Sequence, residues 1–213
     1  MSYRDTDKIF SGDMSPWLSE RRYFAGDRIL REWQEVNELI FLDSGRAKCF
    51  ISHENGKIGI VDILSAPCLI GELELIRVQK KCSGVSAITD CRAHVLSLDG
   101  CRDMIFNDPV FLRFLCTEIG KKTIRNASSL TQNQNFPLRN RLATFLLQTE
   151  NNGFCTESLM EASSYLGVSY RHLLTIISDL VAENVLKKSK AGYYILNRDE
   201  LVRESITVHE FEP

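Results

Sequence analysis

The pattern of hydrophobic residues changes near residue 107, and this change constrains the fold more than any other feature of the sequence. Between residues 23 and 98, short alternating runs recur with turn residues between them, as in a β-sandwich or barrel. Asn55-Gly56 separates two of these runs and predicts a hairpin, because both residues adopt positive φ at little cost. After Asn107-Asp108-Pro109, apolar residues recur at helical spacing. The sequence therefore predicts an α+β chain in which a β-roll (jelly roll) precedes a helical part.

A long helix is expected to begin at Pro109, because Asp108 can cap it and proline is tolerated in a first helical turn. One stripe of this helix extends to about Leu130, and the polar residues 132–137 indicate a hinge. The stripe contains Phe111, Phe114, Leu115, Ile119, Lys122 and Asn126. It either covers its own domain or pairs with a second copy. We expect pairing in a dimer, because the helix is longer than a small β-domain requires.

Residues 156–186 contain the most informative pattern in the chain. A capping Ser or Thr precedes one helix, Gly167 lies at a bend, and a second helix opens at Ser169. A basic turn and a hairpin around Ala191-Gly192 follow, so a winged helix-turn-helix is expected. Its predicted core residues are Leu159, Ala162, Leu166, Val168, Leu173, Ile176, Ile177 and Leu180.

The length of 213 residues allows two small domains. We expect a sensory β-roll in residues 1–106, a dimerisation helix and hinge in 107–136, and a DNA-binding domain in 137–213. The composition, 44% hydrophobic and 25% charged, is ordinary for a globular protein. No apolar run is long enough to span a bilayer, and the first ten residues lack the pattern of a signal peptide, so a cytoplasmic location is expected.

Charge and cysteine content exclude two classes of protein. A net charge of −2 is not that of a strongly basic polyanion binder, so any DNA contact must depend on local placement of cations. Seven cysteines without a CxxC pair do not indicate a secreted disulfide framework. They are expected to be free thiols that pack as small apolar residues. Redox or metal sensing by some of them remains an alternative.

Several motifs occur in an order that is found in one family. They are LDSGRAKCFISHENGK, IGEL at residues 70–73, the helix start at Asp108-Pro109, and LGVSYRHLLTIISDLVAENVL. Over nearly its whole length the chain resembles the cyclic-AMP receptor protein and FNR (CRP/FNR) superfamily of bacterial transcription regulators. SYRHLL and KSKAGYYI resemble its YeiL branch most. The resemblance implies a palindromic DNA operator, a homodimer, RNA polymerase as a partner and no membrane association.

In such a regulator the first residues of the second helix enter the major groove of double-stranded DNA. Here these residues are Ser169, Tyr170, Arg171, His172 and Thr175. Arg171 is the first choice for a bidentate contact with guanine. Ser169 can contact a phosphate or simply cap the helix, and Tyr170 can touch a base or only pack. Further phosphate contacts are predicted for Arg139, Lys187, Lys188 and Lys190.

The resemblance also places an effector pocket in the β-roll. Its predicted residues are Cys49, Gly71, Glu72, Leu73, Cys82 and Ser83. Relatives that bind cyclic AMP hold its phosphate with an arginine where this chain has Cys82, and the neighbouring Lys80 and Lys81 are poor substitutes. Cyclic AMP is therefore not the expected effector. Cys49 and Cys82 could instead form a disulfide, bind a soft metal or react with nitric oxide, or they could only fill the pocket.

Two other classes of protein fit the sequence less well. A cupin-type metalloenzyme needs converging histidines, but His53, His94, His172 and His209 are scattered without ligand spacing, so we expect no enzymatic activity. An iron–sulfur cluster of the FNR kind is not expected either, because no cysteine precedes Cys49. A sensing adaptor that binds a cyclic nucleotide or another small molecule without binding DNA is the alternative function.

Overall fold

The computed structural model describes residues 9–54, 56, 58–78 and 82–206. The turn residue Asn55, the two lysines 80 and 81, and His209 lie outside these ranges. The described residues fall into two compact units. One contains residues 9–52 and 61–126, and the other contains the intervening hairpin segment together with residues from 127 onward.

The first unit contains a β-sandwich, as the alternating runs predict. One four-stranded sheet has the order β1-β8-β3-β6 and the other has the order β2-β7-β4-β5. The strands are β1 (Leu18–Tyr23), β2 (Arg28–Leu30), β3 (Glu38–Ser44), β4 (Arg46–Ser52), β5 (Ile58–Ser65), β6 (Cys68–Ile70), β7 (Gly84–Ala87) and β8 (Cys91–Ser97). The short strand β2 was not predicted from the sequence, because three residues are too few to show an alternating pattern.

Strand β3 lies inside the first sheet and is buried on both faces. Ile40 and Leu42 belong to the core between the two sheets. Leu39 and Phe41 point to the opposite face and belong to a second core, which the helices of this unit cover. Side chains alternate along a strand, so a strand covered on both faces has an unbroken apolar sequence. The four residues LIFL, at 39–42, have this form for that reason.

Three helices belong to the first unit in whole or in part: α1 (Glu72–Leu75), α2 (Arg102–Phe106) and α3 (Pro109–Asn135). The predicted start of α3 is confirmed. Asp108 Oδ1 accepts hydrogen bonds from the backbone N–H groups of Val110 (2.9 Å) and Phe111 (3.3 Å). The predicted hinge over 132–137 is too long, because α3 continues to Asn135 and the break is confined to Phe136 and Pro137.

Most of the predicted stripe of α3 packs on its own β-sandwich, so the assignment to a dimer interface was wrong for Phe111 and Leu115, which are buried within this chain. Phe111 is fully buried and its ring stacks on Phe10 at 5.1 Å between centroids. Leu115 is buried in the same core, and Phe114 and Ile119 pack against it. An apolar stripe has the same sequence pattern whether it meets its own domain or another chain. Here the N-terminal segment around Phe10, for which no structure was predicted, completes the packing.

The second unit contains a short helix pair and a small three-stranded sheet of order β10-β11-β9. Its elements are α4 (Leu138–Thr149), β9 (Phe154–Cys155), α5 (Leu159–Tyr165), α6 (Tyr170–Ala182), β10 (Leu186–Lys188), β11 (Tyr193–Ile195) and α7 (Arg198–Glu204). Five of the predicted core residues are buried: Ala162, Leu166, Leu173, Ile177 and Leu180. Leu159, Val168 and Ile176 are half-buried. Helix α7, which packs against α4, was not predicted.

Candidate nucleic-acid interface and candidate effector pocket

The start of α6 is fixed by two local features of the sequence. Gly167 has a φ of +64°, which is costly for residues with a side chain, and it ends the turn that follows α5. Ser169 caps α6, because its Oγ accepts a hydrogen bond of 3.2 Å from the backbone N–H of His172. The capping role proposed for Ser169 is therefore confirmed. Its hydroxyl hydrogen remains available to donate to another acceptor.

Helix α6 has one buried and one exposed face. Leu173, Ile177 and Leu180 face the core. The residues predicted to contact DNA all lie on the exposed side: Ser169, Tyr170, Arg171, His172 and Thr175. Tyr170 is 43% exposed, so it is not part of the core. The start of α6 thus exposes a hydroxyl, a phenol, a guanidinium and an imidazole.

The cations of the second unit fall into two groups, and the first group is engaged within the protein. The Arg139 guanidinium bonds to Glu204 (2.8 Å) and Glu183 (2.5 Å), and these partners raise the pKa of Arg139 further above its usual value. Arg139 therefore connects α4 to α7 and to the end of α6, which argues against the phosphate contact predicted for it. Arg198 pairs with Glu150 at 3.0 Å. Arg203 pairs with Glu200 at 2.5 Å.

The second group of cations is exposed to solvent. Arg171, Lys187, Lys188 and Lys190 make no ion pair with any residue that the structure describes. Arg171 belongs to α6, and the three lysines belong to the hairpin that follows it. Among the described residues of this unit, the exposed cations without an ion-pair partner thus lie on α6 and the hairpin, because the half-buried Arg141 guanidinium donates to the carbonyl oxygens of Phe136 and Leu166. Sequence reasoning missed Glu183, Glu204 and Glu150, because their partners are distant along the chain.

In the first unit, the predicted effector pocket begins at Gly71. This residue has a φ of +95°, and a Cβ atom there would lie 2.8 Å from the carbonyl oxygen of Glu38, so the position requires glycine. Glu72 follows at the start of α1 and is only 5% exposed. The Leu73 side chain is 38% exposed. Leu73 is therefore more exposed than Gly71 and Glu72, and its place in the pocket stays a prediction.

The two thiols assigned to the pocket have different partners. The Cys49 side chain hydrogen-bonds to Ser83. The Cys82 thiol donates to the carbonyl oxygen of Arg31 at 2.7 Å. Burial raises the pKa of Cys49 to about 11 and raises that of Cys82 as well. Both thiols are protonated at neutral pH, which lowers their reactivity towards oxidants and metals. The pocket-filling alternative fits these surroundings better than a sensing role.

Lys122 of α3, predicted to lie in the dimer stripe, reaches this pocket. Its Nζ lies 2.5 Å from Glu72 Oε1 and 2.5 Å from the carbonyl oxygen of Leu69. A second cation of α3, Arg125, bonds to Asp62 on β5 at 2.9 Å. Asn126, the last residue of the predicted stripe, is exposed. No local pattern predicts the Glu72–Lys122 pair, because fifty residues separate its members.

Neither a metal centre nor a membrane span is found in the part of the chain that the structure describes. No group of three or more His, Cys, Asp or Glu side chains there is arranged to hold a metal ion. None of the described helices is long and apolar enough to cross a membrane.

Comparison with known proteins places these features in a family. A model described as the cyclic nucleotide-binding domain matches residues 20–108. The chain is 42% identical to the regulatory protein YeiL of Escherichia coli O157:H7 over 192 residues, which are 90% of this chain and 88% of YeiL.

Two solved structures from Thermus thermophilus share the fold. A CRP/FNR-family transcriptional regulator has a TM-score of 0.66 at 18% identity and covers 87% of this chain and 97% of its own. A CRP-family transcriptional regulator has a TM-score of 0.65 at 18% identity, and the match covers 86% of this chain and 95% of the regulator. Together with the similarity to YeiL, this likeness shows that the chain belongs to the CRP/FNR family of transcription regulators, in its YeiL-like branch.

Proposed function

We propose that this protein is a sequence-specific DNA-binding regulator that binds a palindromic operator as a homodimer. In this proposal α5 and α6 form the helix-turn-helix and the β10–β11 hairpin is its wing. The observation that supports it most is the distribution of unpaired cations. Arg171 and the three lysines of the hairpin are exposed without a described partner, whereas Arg139, Arg198 and Arg203 are neutralised by carboxylates.

Each residue proposed to contact DNA has a role that its chemistry permits. The Arg171 guanidinium can donate two hydrogen bonds to the edge of a guanine in the major groove. Ser169 can donate its hydroxyl hydrogen to a phosphate while it caps the helix. Lys187, Lys188 and Lys190 add phosphate contacts, which increase affinity without selecting a sequence. Tyr170, His172 and Thr175 complete the surface that faces the bases.

The proposed dimer uses the face of α3 opposite to its buried stripe. Cys116, Gly120 and Ile124 follow one another at intervals of four residues, and Ile124 is 55% exposed. A Cβ atom at Gly120 would meet no atom within 4 Å, so the backbone is open to close approach there. The hydroxyls of Thr117 and Thr123, beside this face, donate to helix carbonyl oxygens at 2.9 Å. A dimer interface could therefore bury them without leaving a donor unsatisfied. This face suits a symmetric helix pair.

Disulfide cross-linking tests the dimer. All seven cysteines lie in described residues, and Cys116 is the one that is exposed. Mild oxidation of the native protein should give a covalent dimer on non-reducing gels, and Cys116→Ser should abolish it. Asn126→Cys in the Cys116→Ser background is a matched control at an exposed position outside the proposed face. Cross-linking by this control as efficient as through Cys116 would argue against the assigned face.

Selection of bound sequences from a random pool of double-stranded DNA tests DNA recognition. We expect enrichment of an inverted repeat whose half-sites lie about one duplex turn apart, because a twofold dimer presents two copies of α6. Absence of enrichment from a folded, dimeric protein would favour the alternative of a sensing adaptor without DNA binding.

A further inference from the structure

The buried carboxylate of Glu72 is satisfied from within the chain. Lys122 places its Nζ between Glu72 Oε1 and the carbonyl oxygen of Leu69, at 2.5 Å from each. The Lys122 side chain is 18% exposed and that of Glu72 is 7% exposed. An ammonium group has three N–H donors, and two of them are used here on a carboxylate and a carbonyl. These two acceptors form a site of the kind that binds a primary ammonium.

The surroundings favour a cation over an anion at this site. Glu74 follows on the same helix, and burial, together with the nearby Glu72 charge, raises its pKa. Burial raises the pKa of the Cys68 thiol to about 12, so this neighbour of the pair supplies no charge at neutral pH. The other cation that α3 directs towards the sandwich, Arg125, is held by Asp62. A phosphate entering here would meet carboxylates, and Lys122 could serve it only by leaving Glu72 without its partner.

We propose that the pocket at the start of α1 is a primary-ammonium site and that its occupant is Lys122 of the same chain. Lys122 connects α3 to the β-sandwich. In a regulator controlled by a diffusible ligand, the bound ligand would make this connection instead. The ligand class that fits an emptied pocket is therefore a small alkylammonium ion, not a cyclic nucleotide. This proposal deepens the proposed function by naming what fills the effector pocket.

Chemical rescue tests the site directly. Lys122→Ala removes three methylene groups and the ammonium, which n-propylammonium can replace. Propylammonium chloride should give a saturable rise in the Tm of Lys122→Ala and no saturable rise in the wild-type protein. Sodium chloride at equal ionic strength, propan-1-ol and tetramethylammonium chloride are the ligand controls, since each lacks the alkyl chain, the charge or the N–H donors. Arg113→Ala, at an exposed position of α3 whose cation has no ion-pair partner among the described residues, is the control variant and should show no response.

The result of the rescue experiment does not depend on whether the protein binds DNA, because the Tm is measured without DNA. A folded Lys122→Ala protein that ignores propylammonium, or responds equally to tetramethylammonium, would overturn the proposal. If Lys122→Ala does not fold, reductive methylation of the native wild-type protein tests the site in place of the rescue experiment. Mass spectrometry should then find Lys121 modified and Lys122 protected, and equal rates at the two lysines would refute the site. Binding of cyclic AMP to the wild-type protein by calorimetry would refute it as well.

Discussion

Two sets of cations, one on α3 of the first unit and one on α6 and the following hairpin of the second, differ in whether a carboxylate binds them. In the sandwich unit, the cations that α3 directs inward are bound to carboxylates: Lys122 to Glu72 and Arg125 to Asp62. In the second unit, Arg171 and the hairpin lysines are exposed and have no ion-pair partner among the described residues. A cation bound to an internal carboxylate must lose that partner before it can serve an external anion, whereas an exposed unpaired cation need not. The comparison therefore favours α6 and its hairpin over the inner face of α3 as a phosphate-binding surface.

The largest effect is expected when the buried pair is broken. Lys122→Met keeps much of the aliphatic stem but leaves the Glu72 carboxylate unpaired, so the free energy of unfolding should fall by about 3 to 5 kcal/mol. Denaturant unfolding measures it. The double variant Glu72→Leu with Lys122→Met should recover most of the loss, since neither charge is then buried. Arg113→Met, which removes an exposed cation of α3 that has no ion-pair partner among the described residues, should cost less than about 1 kcal/mol. Equal losses for Arg113→Met and Lys122→Met would show that the buried pair is not special.

Arg171→Ala should have the next largest effect, this time on DNA and not on stability. Removing a bidentate contact with guanine should cost about 1 to 3 kcal/mol in operator binding and relax the preference at one base pair. Gel-shift titration of the selected operator and of its single-base variants measures both. Arg203→Ala removes an exposed arginine that is paired with Glu200 and should leave both quantities unchanged. An unchanged base preference in Arg171→Ala would show that Arg171 does not recognise a base.

Two substitutions at Ser169 separate its capping role from its predicted phosphate contact. Ser169→Ala removes the cap and should lower the free energy of unfolding by about 1 kcal/mol. Ser169→Asp preserves the cap, because aspartate caps helices as well as serine does, but it places a carboxylate beside the phosphate. We therefore expect near-normal stability with weakened DNA binding. If Ser169→Asp binds DNA as tightly as the wild-type protein does, Ser169 caps the helix and does not contact a phosphate.

The smallest effect per residue is expected at the hairpin lysines. Replacing Lys187, Lys188 and Lys190 together with Ala should weaken binding to all DNA sequences alike. The slope of log K against log salt concentration should become shallower by about 0.9 for each phosphate that the hairpin no longer neutralises. Fluorescence anisotropy at several salt concentrations measures the slope. A slope equal to that of the wild-type protein would mean that the hairpin does not bind phosphates.

Features that depend on neighbours along the chain were predictable. The Asp108 cap of α3 and the Ser169 cap of α6 were both predicted, and each is formed within three residues of the capping side chain. The run ELIFL became β3. Features with distant partners were not predictable. The stripe of α3 was assigned to a second chain because its true partners, Phe10 and the face of β3 that contains Phe41, are far from it in sequence.

The amino-acid sequence by itself determined the order of sandwich, long helix and helix pair, the positions of the caps and turns, and which residues α6 exposes. These properties follow from periodicity and from hydrogen bonds between near neighbours. Only the tertiary structure decided which cations are available. Arg139 is bound by Glu183 and Glu204, and Lys122 by Glu72, whereas Arg171 and the hairpin lysines have no ion-pair partner among the described residues. Charge pairing depends on distance in space, which the order of residues does not specify.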